Sequence, residues 1–317
     1  MSKVKADQAV LATLPSVNKK KTDWSAVIFI VSFLSVHIIW FLIYWAFVNI
    51  NSFFLAFKDI NGNFTTKYVV EVLKDLFTEK ALTSNLGRCV INTFIFALRD
   101  ALFIFFHLAI AYFFYKKIAG YRAFQIIFYL PGIISEVALA MAFKHFVGDK
   151  GPIVEMLMNA GIITEAPHLL ITKVDDRAFW TMLFYTIWLG WGGNMLLLGG
   201  ALARVPLEVV ESARLDGVGS GKELVSIILP LVWPTMSTLF LLKLTSMFTA
   251  SGPALVLIGN DAMNQGAGNI AFYIFYYAVI DRNDSMVSAA GLVFTTIGVP
   301  LVMFLRWLVE KVPVVEY

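Results

Sequence analysis

Residues 211–230 read Glu211-Ser212-Ala213-Arg214-Leu215-Asp216-Gly217-Val218-Gly219-Ser220-Gly221-Lys222-Glu223-Leu224-Val225-Ser226-Ile227-Ile228-Leu229-Pro230, a polar turn between two apolar runs. What flanks this stretch decides the fold. Hydrophobic residues make up 59% of the 317 residues and charged residues 15%, against roughly 45–50% and about 25% in soluble domains. A bilayer is the natural solvent for such a chain.

A helix needs about 20 mostly apolar residues to cross a hydrocarbon core roughly 30 Å thick. Six runs qualify, near 25–48, 91–114, 123–143, 179–202, 225–250 and 287–308. The expected fold is therefore an all-α integral membrane protein with six transmembrane helices. The first run is longer than the apolar part of a signal peptide and no small-residue cleavage site follows it, so it reads as a retained span. Cytoplasmic loops carry the excess of Lys and Arg. Placing the N-terminus inside puts Lys3, Lys5, Lys19, Lys20, Lys21, Lys116, Lys117, Arg122, Arg204, Arg214, Lys222, Arg306 and Lys311 in the cytoplasm. The outward loops 51–88, 144–178 and 251–286 then hold ten Lys or Arg against twelve Asp or Glu, and both termini come out cytoplasmic.

Residues 1–23 are expected to form a basic cytoplasmic tail too poor in apolar surface to order itself. Residues 24–310 would be the transmembrane domain, with a cytoplasmic loop at 203–224, and 311–317 a second cytoplasmic tail. Short amphipathic helices are expected outside the membrane near Tyr68–Phe77 and Pro152–Ile163, from their apolar spacing. The lone Cys89 excludes an internal disulfide, the four scattered histidines lack metal-ligand spacing, and a net charge of +3 is too small to argue for nucleic acid.

Within the opening stretch, Gly217-Val218-Gly219-Ser220-Gly221-Lys222-Glu223 imitates a phosphate-cradling loop. That loop needs a glycine five residues before the Gly-Lys pair and a Ser or Thr after it to hold magnesium. Asp216 and Glu223 occupy those places, and the stretch lies between membrane spans instead of after a strand. Nucleotide binding is excluded here. A short helix from about Pro206 to Leu215 is expected instead, started by proline and stopped near Gly217.

The surrounding spacing resembles the permease subunits of binding-protein-dependent ABC importers, whose signature is Glu-Ala-Ala, three residues, Gly, nine residues, then Ile-x-Leu-Pro. Glu211-Ser212-Ala213, Gly217 and Ile227-Ile228-Leu229-Pro230 keep every interval, with Ser212 the one departure. Leu130-Pro131-Gly132, Trp188-Leu189-Gly190 and Arg204-Val205-Pro206 are similar to the carbohydrate, maltose-permease-like branch. The resemblance implies a type I importer fold in a prokaryotic cytoplasmic (inner) membrane. It also implies a coupling role for Glu211, Ser212, Ala213, Asp216, Gly217, Ile227, Leu229 and Pro230, with Glu211 meeting a separate ATPase and Pro230 opening the next span. Its partners would be a second related permease in a heterodimer, two ATPase subunits that hold ATP and magnesium, an extracytoplasmic solute-binding protein and lipid. This chain itself would bind no cofactor and catalyse nothing.

Ionisable residues inside spans usually face a cavity or a partner. Lys243, Ser246, Met247 and Ala250 share one face if the fifth span is helical to 250, and the resemblance places that face on a substrate path. A lysine there favours an anionic or strongly hydroxylated solute, although snorkelling or pairing with a carboxylate explains it as well. Thr186, Trp188, Leu189, Gly190, Trp191, Gly193 and Asn194 offer aromatic faces and glycines suited to a sugar, and equally to helix packing. Glu136 is open to pairing with Lys243 or with a partner subunit. Arg99 and Asp100 point some 100° apart on a helix and are not expected to cancel one another. A sugar or oligosaccharide importer subunit thus stands against an importer for another solute, an ion-coupled secondary transporter using Glu136 or Asp100, and a scaffold.

Overall fold

The computed structural model describes residues 24–78, 83–170 and 176–312. The expected tail 1–23 and residues 313–317 of the second tail lie outside them. The chain divides into two units, residues 1–52 and 53–317. The first is described from Trp24 onward, as the larger part of helix α1, Trp24–Leu55. None of the residues of this helix is buried, and it is hydrophobic all round, as a helix solvated by lipid must be. A π-helical stretch runs Phe41–Phe47.

The second unit contains α2 (Lys67–Phe77), α3 (Asn85–Tyr115), α4 (Tyr121–Ile133), α5 (Glu136–Val147), α6 (Pro152–Asn159), α7 (Arg177–Leu189), α8 (Trp191–Leu202) and α9 (Leu207–Leu215). It continues with α10 (Ser220–Ser246), α11 (Ala254–Leu257), α12 (Ile270–Ile280) and α13 (Asp284–Glu310). Among the described residues four helices are long and apolar enough to cross a membrane, or up to six if each of two bent pairs is one span.

One of the two bends corrects an expected rod; the other falls where a separate short helix is expected. The run expected as one span at 123–143 breaks at Ile134–Ser135, and α4 meets the following Glu136–Asn159 stretch at 103°. Pro131, in the last turn of α4, withdraws one amide donor from the helix just before the break. The run 179–202 is interrupted at Gly190, which closes α7 and opens α8, and α9 turns away by 80°.

Two hydrophobic cores hold the second unit together. One joins α2 (Tyr68, Val72), the start of α3 (Leu86, Cys89), α7 (Met182, Tyr185), the 254–273 segment and α13 (Ala289, Phe294). The other joins α3 (Ile104, Leu108, Tyr112), α8 (Leu198, Leu202), Val210 of α9, and α10 (Ile228, Val232, Met236). Along α3 the two are separated by residues 97–103, and that interval carries the charges Arg99 and Asp100. On the first core's side, the segment after α10 is stitched to α3 by polar bonds. The buried Asn92 amide donates to the carbonyls of Gly266 and Gly268 at 2.8 and 2.7 Å, and the Thr93 hydroxyl accepts from the Ile270 amide at 3.0 Å. Buried backbone carbonyls in a loop need such partners.

Candidate functional site: a coupling segment and a polar layer

Helix α9 begins after Pro206 and ends in a complete Schellman motif. Gly217 has φ +73°, its amide donates to the Arg214 carbonyl at 3.0 Å, and the Val218 amide donates to the Ala213 carbonyl at 3.0 Å. Only glycine adopts that left-handed position without a steric penalty. The helix is therefore stopped sharply, where an ordinary loop would fray. Its inner face, Val210 and Ala213, is buried, while Glu211, Ser212, Asp216 and Gly217 are exposed. Val210 is fully buried in the second core, whose other members come from α3, α8, α10 and Val205, just ahead of α9. Three apolar residues that the motif did not single out are exposed: Leu207 at 56%, Val209 at 36% and Leu215 at 89%. Leu215 lies one turn beyond Glu211 on the same face (i, i+4), the spacing that could have revealed it.

The Ser220–Glu223 stretch that imitates a phosphate loop is the first turn of α10. Glu223, at the position where such a loop places its magnesium-binding hydroxyl, is 1% exposed and its Oε2 lies 2.7 Å from the Lys116 Nζ. The lysine also stands over the Tyr112 ring, 5.2 Å from its centroid. The carboxylate is committed to holding α10 against the end of α3.

Pro230 does not open a span. It lies well inside α10, preceded by a π-helical turn at Leu224–Ile228, where the Leu229 amide reaches back to the Leu224 carbonyl. The wider turn makes room for a ring that would strike the carbonyl four residues earlier. Ile227 and Leu229 are half-buried within and beside this turn.

Helix α10 ends at Ser246, four residues short of the expected limit; Met247, its C-cap, still donates its amide to the Lys243 carbonyl at 3.1 Å and keeps that face, whereas Ala250 lies beyond it in the following turn. The Asn269 amide, donating to the Ala250 carbonyl at 2.8 Å, holds the turn that replaces the helix. Ser246, Met247 and Ala250 nonetheless converge with Thr186, Arg99, Asp100 and Asn269 on one pocket of about 90 Å³. Lys243, one turn earlier, is half-buried, and among the described residues no hydrogen bond or ion pair engages its ammonium.

The remaining expected residues divide. Asn194 stands 3.3 Å from Nδ1 of the buried His107, whose ring packs on Trp191 at 5.1 Å. Gly193 faces open space. Leu189 packs on the first core, Trp188 is 39% exposed and meets Tyr185 at 6.0 Å, and Gly190 marks the helix break. The close approach belongs to Gly192, where an added Cβ would lie 3.3 Å from the Phe128 carbonyl and Tyr129 Cα.

Two charge readings change. Arg99 and Asp100 do pair, at 2.9 Å, because the three methylenes of arginine let the guanidinium fold back onto its neighbour. Phe96 supports it at 5.3 Å. Glu136 does not pair with Lys243: it is exposed in the first turn of α5, where the helix N-terminus favours a carboxylate.

The fold and segment thus define a multi-pass helical membrane protein that resembles ABC importer permeases. No family model matches the chain. Among curated proteins it is 30% identical to a probable ABC transporter permease protein, the MG188 homolog of Mycoplasma pneumoniae, over 61% of this chain and 58% of that protein. It is 24% identical to the multiple sugar-binding transport system permease protein MsmF of Streptococcus mutans, over 60% of this chain and 64% of that protein. The chain thus spans less than two thirds of either relative's length. Its fold matches a chain of a solved bacterial ABC transporter involved in the import of the acidic polysaccharide alginate, with TM-score 0.77, 22% identity and coverage of 92% and 98%.

Proposed function

We propose that this chain is a transmembrane subunit of an ATP-driven importer of a sugar or oligosaccharide. In this reading it lies in a prokaryotic cytoplasmic membrane with α9 on the cytoplasmic side, where a separate ATPase carrying ATP and magnesium grips it. A second, related permease would complete the pathway, and an extracytoplasmic binding protein would deliver solute. The observation that carries the reading is α9: a sharply capped helix, fixed by Val210 to the packed spans, that presents Glu211 and Leu215 to solvent.

Such a contact can transmit motion because it is stiff at its root and unpartnered at its face. ATPase closure would move α9, and α9 would move α3, α8 and α10 as one body through the second core. An importer requires differential contact of this kind with its two states. Thr186, Ser246, Met247 and Ala250 would then contribute this chain's half of the solute path at the polar layer between the two cores.

The test is uptake of labelled oligosaccharide into vesicles bearing the full complex. Uptake should require ATP inside, the binding protein outside and an intact α9. Uptake that persists without ATP or without the ATPase subunit overturns the proposal and favours ion-coupled transport.

A further inference from the structure

We infer that the polar layer contains an anion subsite, formed by Arg99, Lys243 and His107, and that the solute carried is an acidic saccharide bearing a carboxylate or phosphate. The inference rests on the importer reading and names its substrate class.

The first observation is an excess of donors. Arg99 pairs with Asp100 through Nη2, but its Nε is buried without an acceptor. His107 is 4% exposed; its Nδ1 faces the Asn194 amide, which assigns the ring proton to Nε2, and that atom too is buried without an acceptor. The Lys243 ammonium has no partner among the described residues. A buried donor left unmet costs about 1–3 kcal/mol, and a chain that leaves two buried N–H groups and a half-buried ammonium unmet lacks an acceptor-rich group there.

The second observation is convergence. Arg99 and His107 lie eight residues apart on α3, hence on one face. Lys243 on α10 and Arg99 both stand within Coulombic reach of His107. Ser246, one turn from Lys243, lines the same pocket as Arg99. With Asp100 neutralising one charge, the neighbourhood keeps one net positive charge within a membrane protein's interior. A carboxylate or phosphate offers acceptors and no obligatory donor, and matches both the charge and the orphaned N–H groups. A neutral sugar hydroxyl would leave the charge unanswered.

Binding is measured on the assembled permease–ATPase complex without the binding protein, so that its specificity does not enter. The probes are a galacturonic acid trisaccharide and its carboxyl-reduced, neutral counterpart. Wild type should prefer the acid by at least about tenfold, as expected for a hydrogen bond to a charged group. Lys243→Gln should bring the preference close to one, and Lys243→Arg should restore it. No preference in wild type, or an equal preference in wild type and Lys243→Gln, overturns the inference; a lysine answered by a carboxylate of a neighbouring subunit would behave that way. ATP-driven vesicle uptake is read alongside. Uptake of the neutral trisaccharide alone sinks the acidic subsite and leaves the importer standing, whereas absence of ATP-driven uptake for both removes the two together.

Discussion

Glu223 Oε2 and Lys116 Nζ lie 2.7 Å apart with side chains 1% and 16% exposed, and this pair fastens the first turn of α10 to the end of α3. Taking one member away strands a charge in a site that water hardly reaches. Lys116→Met or Glu223→Leu alone should lower stability by about 3–5 kcal/mol, while the double replacement should fall within about 2 kcal/mol of wild type. Denaturation of the purified protein in detergent measures this. A double variant as unstable as the sum of the singles would mean the pair is not what holds the two helices.

Gly217 should tolerate no side chain cheaply. Gly217→Ala places a Cβ in a left-handed residue at a cost of roughly 1–2 kcal/mol. Gly217→Pro additionally removes the amide that meets the Arg214 carbonyl and demands the opposite sign of φ. Membrane insertion should survive the proline change while ATP-driven uptake is lost, as read by fractionation and vesicle transport together. Normal uptake would dissociate the helix cap from coupling.

Leu215→Asp and Glu211→Lys change an exposed face, so the isolated chain should keep its stability within about 0.5 kcal/mol. Co-purification with the ATPase and uptake should both drop, at least about tenfold if one well-packed contact is lost. Retained co-purification with unchanged uptake would remove α9 as the docking element.

Adjacent glycines should separate packing within the chain from packing between subunits. Gly192→Val would overpack α8 against α4 and cost about 1–3 kcal/mol in the isolated chain. A Cβ added at Gly193 meets nothing within 4 Å among the described residues, so Gly193→Val should be silent in the isolated chain, showing an effect only in the assembled complex if another subunit covers it. Equal effects of both in the isolated chain would contradict the α4–α8 contact.

Composition made the helical membrane class legible, and the intervals from Glu211 to Pro230 located α9, because both depend on local chemistry. The breaks were less legible. Pro131 and Gly190 signal weak points, but a 103° bend depends on what α4 and α5 pack against. The π turn ahead of Pro230 could not be read, since it is a repair of the conflict between a proline and a continuous helix. The Arg99–Asp100 pair escaped a reading based on helical angles because a long, flexible side chain overrides the direction of its Cβ. Lys116 and Glu223 stand 107 residues apart, and no local pattern announces such a pairing. His107 read as one of four scattered histidines until the fold set it beside Asn194 and Trp191.

The pocket of about 90 Å³ at the polar layer has room for about three molecules of liquid water, whereas sites for small organic ligands begin near 300 Å³. This pocket therefore cannot enclose even a small saccharide by itself. On the importer reading, solute choice becomes a joint property of two polypeptides: a change of sugar can arise by mutation in either, and this chain assembled with a different second permease should transport a different range of solutes.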